Sequence, residues 1–106
     1  MITTYVTEIN SENFDQKIKN SSVAIVDIWA TWCGPCKQLT PRLSNLSNKY
    51  TDVTFVKVDV DENMESAQEL LISTVPTVMI YDGDTLINRS TGANHDAVYS
   101  KILDTL

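Results

Sequence analysis

No apolar run in this chain approaches the length that spans a bilayer, and the opening stretch "MITTYVTEINSENFD" has neither a basic leader nor an apolar segment of signal-peptide length. Histidine occurs once, cysteine twice, and glycine and proline three times each. Each scarcity excludes something. Zinc asks for four ligands in a closed site, and two cysteines plus the distant His95 do not supply them within one chain. A site shared between two copies stays open on ligand count alone, although the lack of a second Cys-x-x-Cys argues against finger and ribbon frameworks. No repeat, low-complexity tract or Gly/Ser-rich linker divides the chain, so a single domain over residues 1–106 is expected. Eight basic against fourteen acidic residues give a net charge of −6, which leaves no cationic footprint for nucleic acid. Neither a membrane nor a metal is expected as a partner. The expected location is cytoplasmic, a reducing compartment where a close cysteine pair is more often catalytic or redox-sensing than structural.

What is present alternates between two periods. "SVAIVDIW" (22–29) is short, β-branched and nearly continuous in apolar residues, which suits a central strand covered on both faces. From Cys36 the apolar positions run Leu39, Leu43, Leu46 and Tyr50, one stripe of an amphipathic helix. "DVTFVKVDV" (52–60) reads as a second strand, making a βαβ unit with parallel strands. "PTVMIYDGDTLINRS" gives two extended runs about an Asp82-Gly83 turn signal, so an antiparallel hairpin joins the sheet and makes it mixed. Further helices are predicted near 11–19, with Phe14 and Ile18 on one face, near 64–71 and near 95–105. Asn10 or Ser11, Asn63 and Asn94 are the candidate N-caps.

The two cysteines stand where the first strand gives way to the long helix, the end of a βαβ unit at which ligands and chemistry collect. A structural staple is a weak reading, because closing so short a loop removes only ~2 kcal/mol of unfolded-state freedom. Reaction is the stronger one. Cys33 at the helix start points its sulfur at unpaired backbone N–H groups and the positive end of the macrodipole, both of which favour thiolate. The dipole supplies about 0.3–1 kcal/mol and one pKa unit costs about 1.4 kcal/mol, so hydrogen bonds must add to it. The Cys36 thiol, one turn deeper on the same face, is the expected donor. Cys33, at the rim, is then the attacking sulfur and Cys36, on the buried stripe, the resolving one.

Neighbouring residues have expected parts as well. Gly34 permits close approach of another backbone, and Pro35 is tolerated in a first turn whose N–H groups lack partners. Pro41 lies deeper, where it removes a ladder bond and should kink the helix. Asp27 sits within an apolar strand, where burial should raise its pKa and suit it to accept the Cys36 proton. Lys57 is either solvated or the partner of Asp27 on the adjacent strand. Trp29 reads as core or near-core, Trp32 as an exposed platform over the site, and His95 as a surface residue. Asp59, Asp61, Glu62 and Glu65 lack an EF-hand pattern and read as a solvated face.

With "WCGPCK" flanked by "VDIWATW", and "VPT" some forty residues later, the chain resembles the thioredoxin family over essentially its whole length. Pro41, "KVDVDEN" (57–63), Gly83 and Gly92-Ala93 fall within the resemblance. It implies the α/β thioredoxin fold, a mixed central sheet of about five strands flanked by about four helices on both faces. It implies a cis bond before Pro76, which faces the cysteines, and a Val75 backbone that hydrogen-bonds an incoming chain. Trp32, Gly34, Pro35, Val75, Pro76, Gly92 and Ala93 would form a shallow apolar docking surface, with Asp27 coupled to Lys57 in proton transfer. The implied activity is protein-disulfide reduction through a mixed disulfide. A reversible Cys33–Cys36 disulfide would serve, with no bound cofactor and with electrons from a thioredoxin reductase. Disulfide-containing target proteins are the implied partners of a monomer. Gly-Pro between the cysteines resembles the reducing members of the superfamily. A redox-independent binding subunit using the same apolar surface is the alternative. Ile28, Gln38, Arg42, Met64 and Thr74 depart from the commonest pattern, and Gln38, Arg42 and Thr74 bear on which partners dock.

Overall fold

The computed structural model describes residues 6–8, 10 and 12–106. Its strands are β1 (Val6–Glu8), β2 (Val23–Trp29), β3 (Val53–Asp59), β4 (Thr77–Asp82) and β5 (Thr85–Thr91). Between them run the helices α1 (Phe14–Lys19), α2 (Gly34–Lys49) and α3 (Met64–Glu69), and α4 (Asp96–Leu103) follows β5. The strand order is β1-β3-β2-β4-β5. β1, β3 and β2 are mutually parallel, while β4 is antiparallel to β2 and β5. The most apolar run therefore occupies the centre, as its composition requires, since both of its faces must leave water.

Alternation along β2 divides the core in two. Ala24, Val26 and Ile28 pack with Val56, Val58, Met79 and Tyr81 beneath Phe14 and Ile18 of α1. Ile25 packs on the opposite face with Phe55, Val78 and Ile80, covered by Leu39, Leu43 and Leu46 of α2 and by Tyr99 and Leu103 of α4. The predicted stripe of α2 is the buried one, and Tyr50 closes its end half-buried. Pro41 lies inside α2 and is exposed. Its missing donor thus falls on the solvent side, away from the packed stripe.

Several boundaries differ from those predicted. α1 begins at Phe14 with Asn13 as N-cap, because Asn10 and Asn13 exchange reciprocal bonds that build a turn ahead of the helix. Ser11 lies outside the described residues. α4 is capped by His95, not Asn94, whose amide instead donates to the Thr91 carbonyl. Asn63 caps α3 by position, but its side chain reaches back to the Asp59 carbonyl at 2.9 Å. Between β4 and β5, Gly83 adopts φ +64°, a left-handed conformation that glycine takes without steric cost.

Two phenols give the fold a pH dependence. Burial raises the pKa of Tyr99, with Asn94 and Ser90 pulling the other way and the Asp27 charge adding to the rise. Burial likewise raises Tyr81, against the pull of Arg89. A phenol whose folded pKa lies above its unfolded value keeps its proton when the unfolded chain has lost it. The stabilisation is complete below about pH 10 and is lost as pH rises through the folded value. Tyr99→Phe is therefore expected to flatten the fall in melting temperature above about pH 10. An unchanged slope in a melting series from neutral to strongly alkaline pH would show that this phenol does not contribute.

Candidate active site

Three chain segments meet at one edge of the sheet. β2 ends at Trp29, and the chain turns through Ala30, Thr31 and Trp32 before α2 begins. The Val60 N–H donates to the Trp29 carbonyl at 2.9 Å, which brings the end of β3 alongside. The Val75–Pro76 segment enters β4 from the same side, and its peptide bond is cis.

Cys33 is the N-cap of α2, with extended backbone at φ −90° and ψ 111°. Its sulfur accepts the Cys36 backbone N–H at 3.2 Å, so one of the orphan donors of the first turn is aimed at the sulfur itself. The first turn of α2 holds no acidic residue, and nothing there opposes the dipole. Pro35 sits in that turn without displacing a bond. Cys33 and Cys36 are joined as a disulfide with a Cα–Cα separation of 5.3 Å, and both sulfurs are thereby accounted for. In this oxidised state the donor to Cys33 Sγ is the Cys36 backbone amide; a Cys36 thiol exists only in the dithiol state, where it would add a second donor.

The expected contrast between an exposed attacking sulfur and a buried one is small in this oxidised state. Cys33 is 4% exposed and Cys36 1%, packed with Ala30 against Trp29, Val60 and Val75. Cys33 Sγ lies 3.7 Å from the Val75 carbonyl oxygen. The neighbouring Gly34 and Pro35 are exposed, and a Cβ added at Gly34 would meet nothing within 4 Å. Space at Gly34 is therefore left for an incoming chain.

Trp32 covers the pair from the outside, 68% exposed as expected of a platform. Its indole Nε1 donates to Asp61 Oδ2 at 2.9 Å, which fixes a ring that would otherwise swing freely. The acidic stretch after β3 is accordingly more than a solvated face. Asp59 is buried, and its Oδ1 accepts the Asp61 N–H at 2.9 Å, folding the loop so that Asp61 meets the indole. Beside Trp32 a groove of about 160 Å³ runs along Val60, Ala67, Ile72, Thr74 and Val75. Val60, Ala67 and Ile72 were not singled out from the sequence, because apolar residues flanking a short helix look the same whether they line a groove or fill a core.

On β2, two residues before its end, Asp27 is 1% exposed. It pairs in register with Lys57 on β3 and Val78 on β4, and by alternation it shares the face of Ile25 that α2 covers. Lys57 Nζ stands 4.8 Å from the centroid of the Trp29 ring, a cation–π contact that holds the half-buried indole in place. On the far side Gly92, at φ +87°, donates its N–H to the Pro76 carbonyl at 2.9 Å. Gly92 and Ala93 thus border the cis-proline segment. Of the residues predicted for the site, Asp27 and Trp29 lie on β2, Lys57 on β3, Trp32 to Cys36 at the start of α2, Val75 and Pro76 just before β4 and Gly92 and Ala93 just after β5. Pro41, by contrast, stands two turns into α2 on its exposed side. Among the described residues, no three His, Cys, Asp or Glu side chains are grouped so as to hold a metal ion.

The Thioredoxin family model matches residues 5–104. The mitochondrial thioredoxin-3 of Saccharomyces cerevisiae is 39% identical over 102 residues, covering 95% of this chain and 80% of that protein. Thioredoxin-1 of Schizosaccharomyces pombe is 39% identical over 85 residues, 80% of this chain and 82% of its own. The crystal structure of oxidised yeast mitochondrial thioredoxin 3 superposes with a TM-score of 0.88 at 36% identity, covering 98% of this chain and all of that one. With the Cys33–Cys36 pair at disulfide distance and the family model covering nearly the whole chain, the protein belongs to the thioredoxin family and is a thiol–disulfide oxidoreductase that reduces protein disulfides.

Proposed function

We propose that the protein is a monomeric cytoplasmic reductant, one domain over residues 1–106, that takes two electrons from a thioredoxin reductase and passes them to disulfide-bonded target proteins. The position of Cys33 as the N-cap of α2, its sulfur held by the Cys36 N–H, carries this reading. In the dithiol state the Cys33 thiolate attacks one sulfur of the target. The target disulfide breaks, a Cys33–target mixed disulfide forms, and the departing target sulfur leaves as a thiolate that takes up a proton. Cys36 then gives its proton to the Asp27 carboxylate and attacks Cys33 Sγ. The second target thiolate is released, and the Cys33–Cys36 disulfide remains.

The surroundings support this division of labour. Trp32, Gly34, Pro35, Val75, Pro76, Gly92 and Ala93 receive the target chain, with the Val75 backbone aligned beside the attacking sulfur. Lys57 stands opposite Asp27 on the neighbouring strand and contacts Trp29, two residues along from Asp27 on β2. The exposed indole of Trp32 is free for docking in a single copy, which suits a monomer that must open the same face to reductase and target in turn.

A coupled assay tests the proposal. The oxidised protein with a thioredoxin reductase, its reduced nicotinamide cofactor and insulin should consume cofactor in step with the thiols that appear on insulin. Reduction of insulin by dithiothreitol-recycled protein without any cofactor consumption would remove the reductase as electron source and leave the disulfide chemistry standing.

A further inference from the structure

Beyond Thr91 the last strand stops pairing, and the chain must cross from the sheet to α4 with few bonds of its own. Gly92 N–H is tied to Pro76, the Asn94 N–H donates to the Gly92 carbonyl at 3.1 Å, and the Asn94 side chain reaches Thr91. The carbonyls of Ala93 and Asn94 have a different partner. Arg42 of α2 donates from Nη1 to the Ala93 oxygen at 2.8 Å and to the Asn94 oxygen at 3.0 Å, in a partly buried setting. That nitrogen carries two N–H bonds, one for each carbonyl. Both are charge-assisted, and partial burial keeps water from competing for them.

We propose that Arg42 is a positioning residue that clamps the 92–94 loop to α2 and so sets how tightly protein substrates dock beside the disulfide. The inference rests on the reductase reading above and extends it to a residue outside the docking surface. A continuous path leads from the clamp to the sulfur. Arg42 holds Ala93 and Asn94, Gly92 next to them holds the Pro76 carbonyl, and the Val75 carbonyl before it lies 3.7 Å from Cys33 Sγ. The disulfide itself sits at the start of the same helix that carries Arg42. α2 therefore grips both sides of the site, with the sulfurs at its N-terminus and the 92–94 loop through one guanidinium. A loop held in its docking conformation loses less entropy when a chain settles against it. A small disulfide reagent needs only the sulfur and does not feel the loop.

Arg42→Met keeps an apolar stem of similar length and removes every donor, whereas Arg42→Lys keeps charge and donors on a shorter reach. For Arg42→Met the KM for insulin is expected to rise about three- to tenfold, within the roughly 2- to 30-fold span of energetic coupling through packed networks. Its kcat, and the rate of the dithiol form with a small aromatic disulfide, should stay within about twofold of the parent. Arg42→Lys should recover part of the lost affinity. Hydrogen exchange of the Gly92 and Asn94 amides should quicken in the methionine variant. An unchanged insulin KM in Arg42→Met, or a parallel loss with the small reagent that lysine does not restore, would overturn the proposal. Should the parent protein reduce neither substrate, the reductase reading fails, and unaltered exchange at Gly92 and Asn94 in Arg42→Met still refutes the clamp.

Discussion

Cys33→Ser is expected to lower insulin reduction at least about 10³-fold, to the background of dithiothreitol alone, because the covalent route disappears with its nucleophile. The environment that favours a thiolate at this position does little for a hydroxyl. A single N–H bond at 3.2 Å and a helix dipole worth about 0.3–1 kcal/mol fall far short of ionising an alcohol near neutral pH. Cys36→Ser should behave differently. Cys33 still attacks, but nothing intramolecular displaces the target, so a mixed disulfide accumulates and is visible as a covalent adduct under non-reducing conditions. Neither variant should lose its fold, since the bond closes too short a loop to contribute more than ~2 kcal/mol. Retention of activity in Cys33→Ser, or an adduct formed through position 36 in its place, would reverse the assigned roles.

The second large effect is expected at Asp27. Replacing it with asparagine preserves shape and leaves the docking surface untouched, while removing the group proposed to take the Cys36 proton. Its carboxylate is almost wholly sheltered from solvent on the face that α2 covers, so bulk water is poorly placed to act as the alternative acceptor. Resolution of the mixed disulfide should slow about 10²-fold, the lower end of what a positioned base contributes. The initial attack by Cys33 does not use this proton and should change little. The two tryptophans beside the disulfide offer a stopped-flow signal that separates the steps with a small disulfide and with insulin. Equal slowing of both would mean that Asp27 acts by holding the site together and not by moving a proton.

How much was legible beforehand depended on the range over which each feature is determined. β2 and α2 announce themselves through side-chain period, and Cys33 through its place at their junction, because alternation, helical stripe and N-cap are set by residues within a turn or two of one another. Among the described residues β1 covers Val6–Glu8, a span too short for alternation to register, and it pairs along the edge of β3. The turn ahead of α1 depends on the reciprocal Asn10–Asn13 bonds, and Asn94 is drawn away from capping α4 by its bond to Thr91, neither of which a period reveals.

By itself the sequence determined the βαβ core, the hairpin and the reactive pair at a helix start, since hydrophobic period and local capping act through near neighbours. Only the tertiary structure decided that Asp61 would steady Trp32, that the Val75 carbonyl would lie against Cys33, and that Arg42 would reach the 92–94 loop. Those contacts join residues far apart along the chain. Their geometry comes from how helices and strand ends pack across the sheet, and composition at either end carries no record of the partner at the other.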